Sequence, residues 1–395
     1  MPNDGIDMNF LLSHEQQVFS DSIRRFAEKE LAPGAASRAA LPGYPTDVAR
    51  QLSALGLLGI TFDEADGGSG GSLLDSILAL QTIAEICPRS GDIVQAGNFG
   101  PIRAFYEYAT PEQKERWLGR LLRSEILISL GMSEPDAGSA ATDLRTTAKL
   151  DGQGYRLNGT KVFGTHSAEA ELFLVYVRFG PGVGGIGSVL VERGTPGFTI
   201  GKATRFMNGE EWAQLYFEDC LIPRENLLLG PGGFKKQING FNVERLGNAS
   251  RAVAVGRHAF NLARDYAANR VQFGRPLCEF QGLQWKFADM LLKLESAQLM
   301  LMRAATRLEN GLPSGHDTAL AKLACNEAGF HAANESLQIM GGLGFSEEST
   351  AQYCLRRTRG WMIAGGSIEI LKNRIAEGIF DRRFPQRSSL SEVAE

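Results

Sequence analysis

The sequence lacks the features that mark several large classes of protein. Its 395 residues carry 41 Lys and Arg against 45 Asp and Glu, a formal net charge of −4, so there is no basic excess to attract nucleic acid. There is no apolar run of about 18 residues, and a membrane-spanning helix is therefore not expected. The N-terminal segment has no basic region followed by an apolar stretch, which argues against a secretory signal.

Cysteine and histidine are also sparse. The five cysteines, at positions 87, 220, 278, 325 and 354, form no CxxC pair, and the five histidines are dispersed without the spacing of metal ligands. Neither a disulfide framework nor a metal site is expected. This usage suits a reducing compartment, and we expect a cytoplasmic protein.

Three kinds of sequence follow one another along the chain. Residues 10–120 have helical periodicity in segments such as EQQVFSDSIRRFAEKEL and TPEQKERWLGRLL. From about residue 125, short β-branched and aromatic runs alternate with Gly, Asn and Pro turns, which predicts an antiparallel β-domain. After Gly233, long helical segments predict a four-helix bundle. The sequence thus predicts an α+β fold with a helical domain at 1–122, a β-domain at 123–233 and a bundle at 234–395.

Four motifs carry more information than this order. They are SEPDAGSAATDLRTTA, YRLNGTKVFGT, NRVQFGRPLCEFQGLQWKFADM and LQIMGGLGF. Each alone has an ordinary explanation, such as a solvated turn, a core aromatic or a helix end. Together, in this order and spacing, they resemble the acyl-CoA dehydrogenase flavoproteins from about residue 10 to residue 384. The resemblance implies one FAD per subunit, bound at a dimer interface in a homo-oligomer that is usually a tetramer of two dimers.

The resemblance also implies which residues bind FAD. The β-domain group comprises Leu130, Met132, Ser133, Gly138, Ser139, Phe163 and Thr165. The group from the bundle comprises Arg270, Gln272, Phe273, Gln281, Gln338 and Gly342, with Gly341 as a further close-approach glycine. Arg270 is expected to reach the FAD pyrophosphate of the neighbouring subunit, because a guanidinium is a planar and permanently charged donor. Ser367 and Glu369 take flavin-side positions at the start of the last helix.

The segment WMIAGGSIEIL, residues 361–371, lacks a residue that the chemistry needs. The family removes the pro-R α-proton of an acyl thioester while the β-hydride goes to flavin N5, and in many members the base is a Glu in a Y-E-G-T motif before the final helix. Aligned on that helix, the position is Gly365 here. The glycine pair also fits an ordinary helix-start turn with Ser367 near the N-cap. The Gly365 N–H can still donate to the thioester carbonyl, because a backbone donor needs no side chain.

Another carboxylate is available on the helix that opens the bundle. Members that resemble isovaleryl-CoA and long-chain dehydrogenases carry the base there in an L-E-R sequence, and GFNVERLGNA places Glu244 at that position. Glu244 lies roughly 150° from the centre of the main apolar stripe, which alone favours a solvated side chain. The nearby Gly240, Gly247 and Ala254 indicate a second packed side. We therefore expect Glu244 to be the base, with burial raising its pKa toward the working range.

Contacts with the substrate are implied in the same way. Arg245 and Asn242 match positions that contact the pantetheine and adenosine end of CoA, and Phe241 matches an aromatic beside that channel. Asn242 departs from the family, which has an acidic residue there.

A further departure lies in FMNGEEWAQLYF, where the family commonly has an Arg-Ser or Arg-Gly pair. The residues that stand there instead are Asn208, Glu210, Glu211 and Trp212. They put CoA-side or interface contacts of this loop in doubt. Three polar residues of the segment DIVQAGNFGPIRAF are expected to line the acyl pocket: Asp92, Gln95 and Asn98.

Three functions stay open at this point. The first is FAD-dependent α,β-dehydrogenation of an acyl-CoA or carrier-protein-bound acyl thioester, with electron-transfer flavoprotein as acceptor. IAGGS also resembles a 3-sulfinopropionyl-CoA desulfinase, a lyase in which Gly likewise replaces the Glu and the counterpart of Glu244 is not acidic. The retained Glu244 favours the dehydrogenase. A non-catalytic FAD-stabilised scaffold that binds nucleic acid, as a relative does, is disfavoured by the net charge of −4.

Overall fold

The computed structural model describes residues 12–152, 154–309 and 311–384. Helices come first, strands follow and helices return, so the predicted helical–β–helical order is confirmed. The α-helices of the first part are α1 His14–Phe26, α2 Ala35–Ala40, α3 Thr46–Ala54, α4 Leu73–Ile86, α5 Pro88–Asn98, α6 Pro101–Tyr108 and α7 Pro111–Leu122. Helix α7 begins with a capping box in which Thr110 accepts from the Gln113 N–H, with Pro111 at the first helical position.

The middle part is built on one eight-stranded sheet and a short ribbon. The sheet strands are β1 Ile128–Gly131, β2 Thr147–Asp151, β3 Gly154–Lys161, β4 Leu172–Arg178, β5 Ile186–Glu192, β6 Phe198–Ile200, β9 Leu215–Pro223 and β10 Leu227–Leu229. Their order is β10-β5-β4-β2-β3-β9-β6, with β1 beside β4. The ribbon consists of β7 Thr204–Arg205 and β8 Glu211–Trp212. Pairing is mostly antiparallel, but β1 runs parallel to β4, and β2 meets β4 in parallel at one residue pair.

Three long helices and two shorter ones form the last part. They are α8 Gly233–Asn269, α9 Gln281–Thr306, α10 Gly315–Phe345, α11 Ala351–Trp361 and α12 Ile368–Phe380. Two small hairpins join them, β11 Val271–Gln272 with β12 Arg275–Pro276, and β13 Leu308–Glu309 with β14 Leu312–Pro313. The turn at Gly365 and Gly366 separates α11 from α12. In the described ranges, no helix combines the length and the apolar character that crossing a membrane requires.

The hydrophobic core does not stop at the boundaries between the three parts. One cluster contains Ile83 and Val94 from the first part together with Leu246 and Leu294 from the last part. A second cluster joins α6 and α7 to one face of the sheet, and a third lies between strands on its other face. Helix α8 therefore packs directly against α4 and α5, and the candidate site lies where α8 passes α5.

Candidate active site

Helix α8 carries Glu244 in its first third and is packed on more than one side. Leu246 lies in the core shared with the first part of the chain. A Cβ placed on Gly247 would lie 2.5 Å from Gln95 Oε1 and 2.7 Å from the ring of Phe99, so only glycine lets α5 come this close. The second packed side that Gly247 indicated in the sequence is thus present, and it brings Gln95 next to Glu244.

The partly buried Glu244 carboxylate has two donors from the first part of the chain. Gln95 Nε2 donates to Oε2 at 2.7 Å, and the backbone N–H of Gly100 donates to the same side chain. Gly100 has φ +67°, and a Cβ on it would lie 3.1 Å from Oε2. Burial raises the pKa of Glu244 from its usual 4.5 to about 7, although the Arg251 and Lys322 charges favour ionisation. A carboxyl group with this pKa can accept or release a proton near neutral pH.

The chain turns sharply at Gly365 and Gly366, between α11 and α12. Their φ angles are +70° and +94°, in the left-handed region that suits glycine. Ser367 is the N-cap of α12, since its hydroxyl accepts from the Ile370 N–H at 3.4 Å, and Glu369 is exposed in the first helical turn. Within the described part of the chain, the N–H groups of residues 365–367 have no acceptor. The turn therefore presents three successive free donors.

Two cationic side chains lie against this turn. Lys322 on α10 is fully buried, and its Nζ donates to the carbonyls of Trp361 at 3.2 Å and Gly366 at 3.0 Å. Arg245 on α8 donates from Nε to the Gly365 carbonyl at 3.3 Å. Burial lowers the pKa of Lys322 to about 7, and the charge of Arg245 acts in the same direction. These contacts join the turn to the helix that carries the candidate base.

The residues predicted to contact CoA are engaged within the chain. Besides its bond to the turn, Arg245 donates from Nη1 to Asn242 Oδ1 at 3.0 Å. Asn242 donates in turn to the Pro313 carbonyl at 3.1 Å. Phe241 is partly buried against the cluster of α6, α7 and the sheet. Their contacts with CoA stay a prediction.

The predicted flavin residues of the β-domain lie at the end of β1, in the loop after it, and just after β3. Five of them are half-buried or exposed, namely Leu130, Met132, Ser133, Gly138 and Ser139. The ring of Phe163 is 59% exposed, and its centroid lies 4.6 Å from that of Trp212. Phe163 has φ +60°, which is uncommon for a bulky residue and marks a constrained position. Thr165 next to it is also exposed.

The predicted flavin residues of the last part lie at its surface. Their positions are Arg270 directly after α8, Gln272 and Phe273 in the β11–β12 hairpin, Gln281 at the start of α9, and Gln338 and Gly342 on α10. Phe273 is 93% exposed, and α10 is kinked at Gly341, around which a Cβ would meet nothing. Arg270 has no acidic partner among the described residues. In the same ranges no hydrogen bond or ion pair joins these residues to the β-domain group, and we refer to the two groups as the two half-sites predicted for FAD.

A buried ion-pair cluster connects all three parts of the chain. Its anions are Asp92 on α5 and Glu210 before β8. Arg357 on α11 bridges them, with nitrogen–oxygen distances of 2.6 Å to Asp92 and 3.1 Å to Glu210. Arg251 on α8 lies 2.9 Å from Asp92, and Arg89 lies 3.8 and 3.9 Å from the two carboxylates. Glu210, whose role the sequence left in doubt, is thus a partner of Arg357.

Two residues predicted to give the pocket a polar wall are bonded to other groups of the chain, and one buried residue was missed. Asp92 belongs to the ion-pair cluster, and Asn98 is buried and bonds three backbone groups around it, so neither is a free polar wall. Only Gln95 of that group reaches Glu244. Lys322 was not singled out, although a lone lysine inside the apolar run ALAKLAC was the signal that could have found it.

Comparisons with known proteins agree with this fold. Family models described as the acyl-CoA dehydrogenase N-terminal, middle and C-terminal domains match residues 13–125, 129–220 and 231–380. The chain is 35% identical to the acryloyl-CoA reductase (NADH) of Anaerotignum propionicum, covering 95% of this chain and 97% of that protein. It is 34% identical to the 3-sulfinopropanoyl-CoA desulfinase of Paraburkholderia xenovorans, covering 96% and 100%.

Solved structures are similar over nearly the whole chain. Butyryl-CoA dehydrogenase from Megasphaera elsdenii has a TM-score of 0.86 and 32% identity, covering 94% of this chain and 100% of that one. A chain from a study of the electron transferring flavoprotein of Acidaminococcus fermentans has a TM-score of 0.87 and 32% identity, covering 94% and 99%. The resemblance and the fold predicted from the sequence are confirmed, and the chain belongs to the acyl-CoA dehydrogenase family.

Proposed function

We propose that this protein is an FAD-dependent enzyme that removes the α- and β-hydrogens of an acyl-CoA thioester, with Glu244 as the base for the α-proton. The observation that carries the proposal is the environment of Glu244. Its carboxylate is held by Gln95 and Gly100, and burial raises its pKa to about 7. Arg245, the next residue on α8, binds the turn that has free N–H donors. A base and an oxyanion site are thus supported by the same segment of α8.

The residues present fit FAD, although their contacts with it are proposed. An exposed arginine without an acidic partner suits a pyrophosphate, and the open kink at Gly341 gives room for a close approach. The outward-facing ring of Phe163, beside Trp212, suits a flat aromatic ligand. When bound, FAD supplies the acceptor for the β-hydride. Arg270 would bind the pyrophosphate of the flavin in a neighbouring subunit, and Phe163 and Thr165 would lie against a flavin ring.

The residues of the chain itself account for the proton and the carbonyl. Gln95 and Gly100 fix the orientation of the Glu244 carboxylate, which accepts the α-proton once it is ionised. Negative charge that develops on the thioester oxygen is stabilised by the N–H donors of residues 365–367, which are already oriented. Protonated Glu244 can return a proton to the α-carbon, so the same site suits reduction of an unsaturated thioester, the activity for which the Anaerotignum relative is named.

We infer that the working form is a homodimer or homotetramer. The two half-sites on one chain support this, because each flavin then needs residues from two subunits. A stripe on α9 also supports it, since Trp285, Leu292 and Leu299 are 63%, 67% and 50% exposed at seven-residue intervals. Sedimentation showing a fully active monomer would refute the inference.

The electron acceptor and the cellular location each follow from one further observation. An electron-transfer flavoprotein is the proposed electron acceptor, supported by the likeness to the Acidaminococcus fermentans chain. Free cysteines, four of them buried, fit a cytoplasmic location.

A second candidate function is a desulfinase-type lyase reaction. It is favoured by the Gly365–Gly366 turn, which has no carboxylate of its own, and by the 34% identity to the Paraburkholderia enzyme. Such a reaction would break the carbon–sulfur bond of the substrate, release the sulfur as SO2, which hydrates to bisulfite, and add a proton to the carbon that carried it. It does not need Glu244 as an α-proton base, and this separates the two candidates experimentally.

The decisive experiment is stopped-flow reduction of the flavin by a panel of acyl-CoAs, with 3-sulfinopropanoyl-CoA included. Glu244→Gln should slow reduction by about 10²–10⁴-fold, the usual effect of a positioned base, while FAD content stays unchanged. Glu107→Gln is the matched control, because Glu107 also lies close to α8, beside Gly240, but does not contact Glu244. Release of sulfite from 3-sulfinopropanoyl-CoA without bleaching of the flavin would favour the second candidate. Reduction of Glu244→Gln at the wild-type rate would show that the base lies elsewhere.

A further inference from the structure

We infer that Lys322 and Arg245 are positioning residues that orient the backbone donors of the Gly365–Gly366 turn toward the thioester carbonyl. The inference rests on the proposed function, because it concerns the oxyanion site of that reaction. It adds a role for a buried lysine on α10 that is distinct from the effect of the lysine charge on the pKa of Glu244.

The orientation follows from the geometry of the peptide group. In a trans peptide the C=O and the following N–H point in opposite directions. Arg245 holds the Gly365 carbonyl at 3.3 Å, so the Gly366 N–H points away from Arg245. Lys322 holds the Gly366 carbonyl at 3.0 Å, so the Ser367 N–H points away from Lys322. Both cations pack against the same two residues, since a Cβ on Gly365 would lie 3.6 Å from Lys322 Cε and a Cβ on Gly366 would lie 3.9 Å from Arg245 Nε. The two N–H groups therefore both point away from the bonds that hold the turn.

This turn needs external support because its own backbone is permissive. Two consecutive glycines with positive φ can adopt many other conformations, and fixing them costs entropy. Lys322 also binds the Trp361 carbonyl, to which Asn326 Nδ2 donates at 2.7 Å, so both ends of the turn are tied to α10. The N–H groups are thereby fixed before substrate binds, and no reorganisation is needed as charge develops on the carbonyl oxygen.

The electrostatics of Lys322 argue against a purely stabilising role. The side chain is fully buried, and the charge of Glu244 offsets only part of the burial, because the pKa of Lys322 still falls to about 7. Burying an ammonium group without a carboxylate in direct contact is costly. Its two hydrogen bonds both go to carbonyls that bracket the turn, and its charge polarises the Gly366–Ser367 peptide so that the N–H becomes a stronger donor.

The test measures how much of the binding affinity depends on the carbonyl. Pivaloyl-CoA has no α-hydrogen and cannot react, and its thioether analogue, S-neopentyl-CoA, lacks the carbonyl. Dissociation constants of both are measured by calorimetry on FAD-loaded wild-type protein and Lys322→Met. In the wild type the thioester should bind at least about tenfold more tightly than the thioether. In Lys322→Met the ratio of the thioether dissociation constant to the thioester dissociation constant should fall toward one, while the thioether affinity stays unchanged. The carbonyl infrared band of the bound thioester should move to higher frequency.

A control and a second variant keep the result interpretable. Lys372→Met removes a mostly exposed lysine of α12 and should leave the ratio at the wild-type value. If Lys322→Met does not fold, Arg245→Lys keeps the charge but loses the guanidinium geometry, and the ratio should fall there too. If a folded variant at position 322 or 245 keeps the wild-type ratio of dissociation constants, the inference about these two residues is overturned, while the proposed function still stands. Wild-type protein that binds neither compound would overturn the proposed function and this inference with it.

Discussion

Replacing Gln95 by Leu should raise the pKa of Glu244 and move the pH dependence of catalysis upward. Gln95 Nε2 donates to the Glu244 carboxylate at 2.7 Å and thereby favours its ionised form. A hydrogen bond to a charged group contributes about 1.5–3 kcal/mol, and one pKa unit corresponds to about 1.4 kcal/mol. Removing the donor should therefore raise the pKa of Glu244 from about 7 by about 1–2 units.

The expected effect on rate has a definite sign. Only ionised Glu244 can accept the α-proton, and at pH 7 its ionised fraction should fall from about one half to about 0.1–0.01, so kcat/KM should fall by about 5–50-fold at pH 7 and recover at alkaline pH. Leu fills a similar volume, and Gln95 Oε1 has no partner in the described structure, so the change breaks one hydrogen bond.

The assay is flavin reduction by a good acyl-CoA substrate, followed across the pH range at constant ionic strength. Gln81→Leu is the matched control, because Gln81 on α4 donates to Gln298 on α9 at 2.8 Å and does not contact Glu244. An apparent pKa of Gln95→Leu equal to or below that of the wild type would refute the reasoning. An equal shift in Gln81→Leu would refute it as well.

Three further predictions concern stability. Glu244 binds its proton more tightly in the folded protein than in the unfolded chain, so the free energy of unfolding falls as the pH rises from 4.5 through about 7. Glu244→Gln should therefore recover up to about 3 kcal/mol at pH 8 and little at pH 4.5, as measured by denaturant unfolding. An equal gain at both pH values would contradict the assignment. Gly365→Ala should cost about 1–2 kcal/mol and lower the melting temperature because of its positive φ, whereas Gly360→Ala within α11 should not. Arg357→Met should cost about 3–5 kcal/mol by leaving buried carboxylates short of a counterion, whereas the exposed Arg359→Met should change the free energy of unfolding by under about 0.5 kcal/mol.

The fold was predictable because its signals are local. Thr110, Pro111 and Gln113 form the N-terminal signature of α7 within four residues, and Ser367 caps α12 from the position next to its first helical residue. The succession of helical and β segments follows from periodicities that a short window contains. The family likewise follows from motifs whose residues are near one another in sequence.

The site was predictable only in part because its electrostatics are non-local. The V-E-R sequence at residues 243–245, aligned with the L-E-R of other members, pointed to Glu244, but Gln95 and Lys322, which affect its pKa, are distant from it in sequence. Asp92 was interpreted as a pocket residue because its partners Arg251 and Arg357 lie on α8 and α11. A sequence pattern gives the type of side chain but not the partner that folding brings to it.

The ion-pair cluster has a consequence for how substrate reaches the site. Asp92, Glu210 and Arg357 come from the three different parts of the chain, so a hinge motion that separated any part would pull apart buried charges. Uncoupling one such pair costs several kcal/mol, which makes a wide opening rare on the timescale of a catalytic cycle. Entry and exit of an acyl-CoA should therefore proceed by local movement of surface loops, while the three parts keep their mutual arrangement throughout turnover.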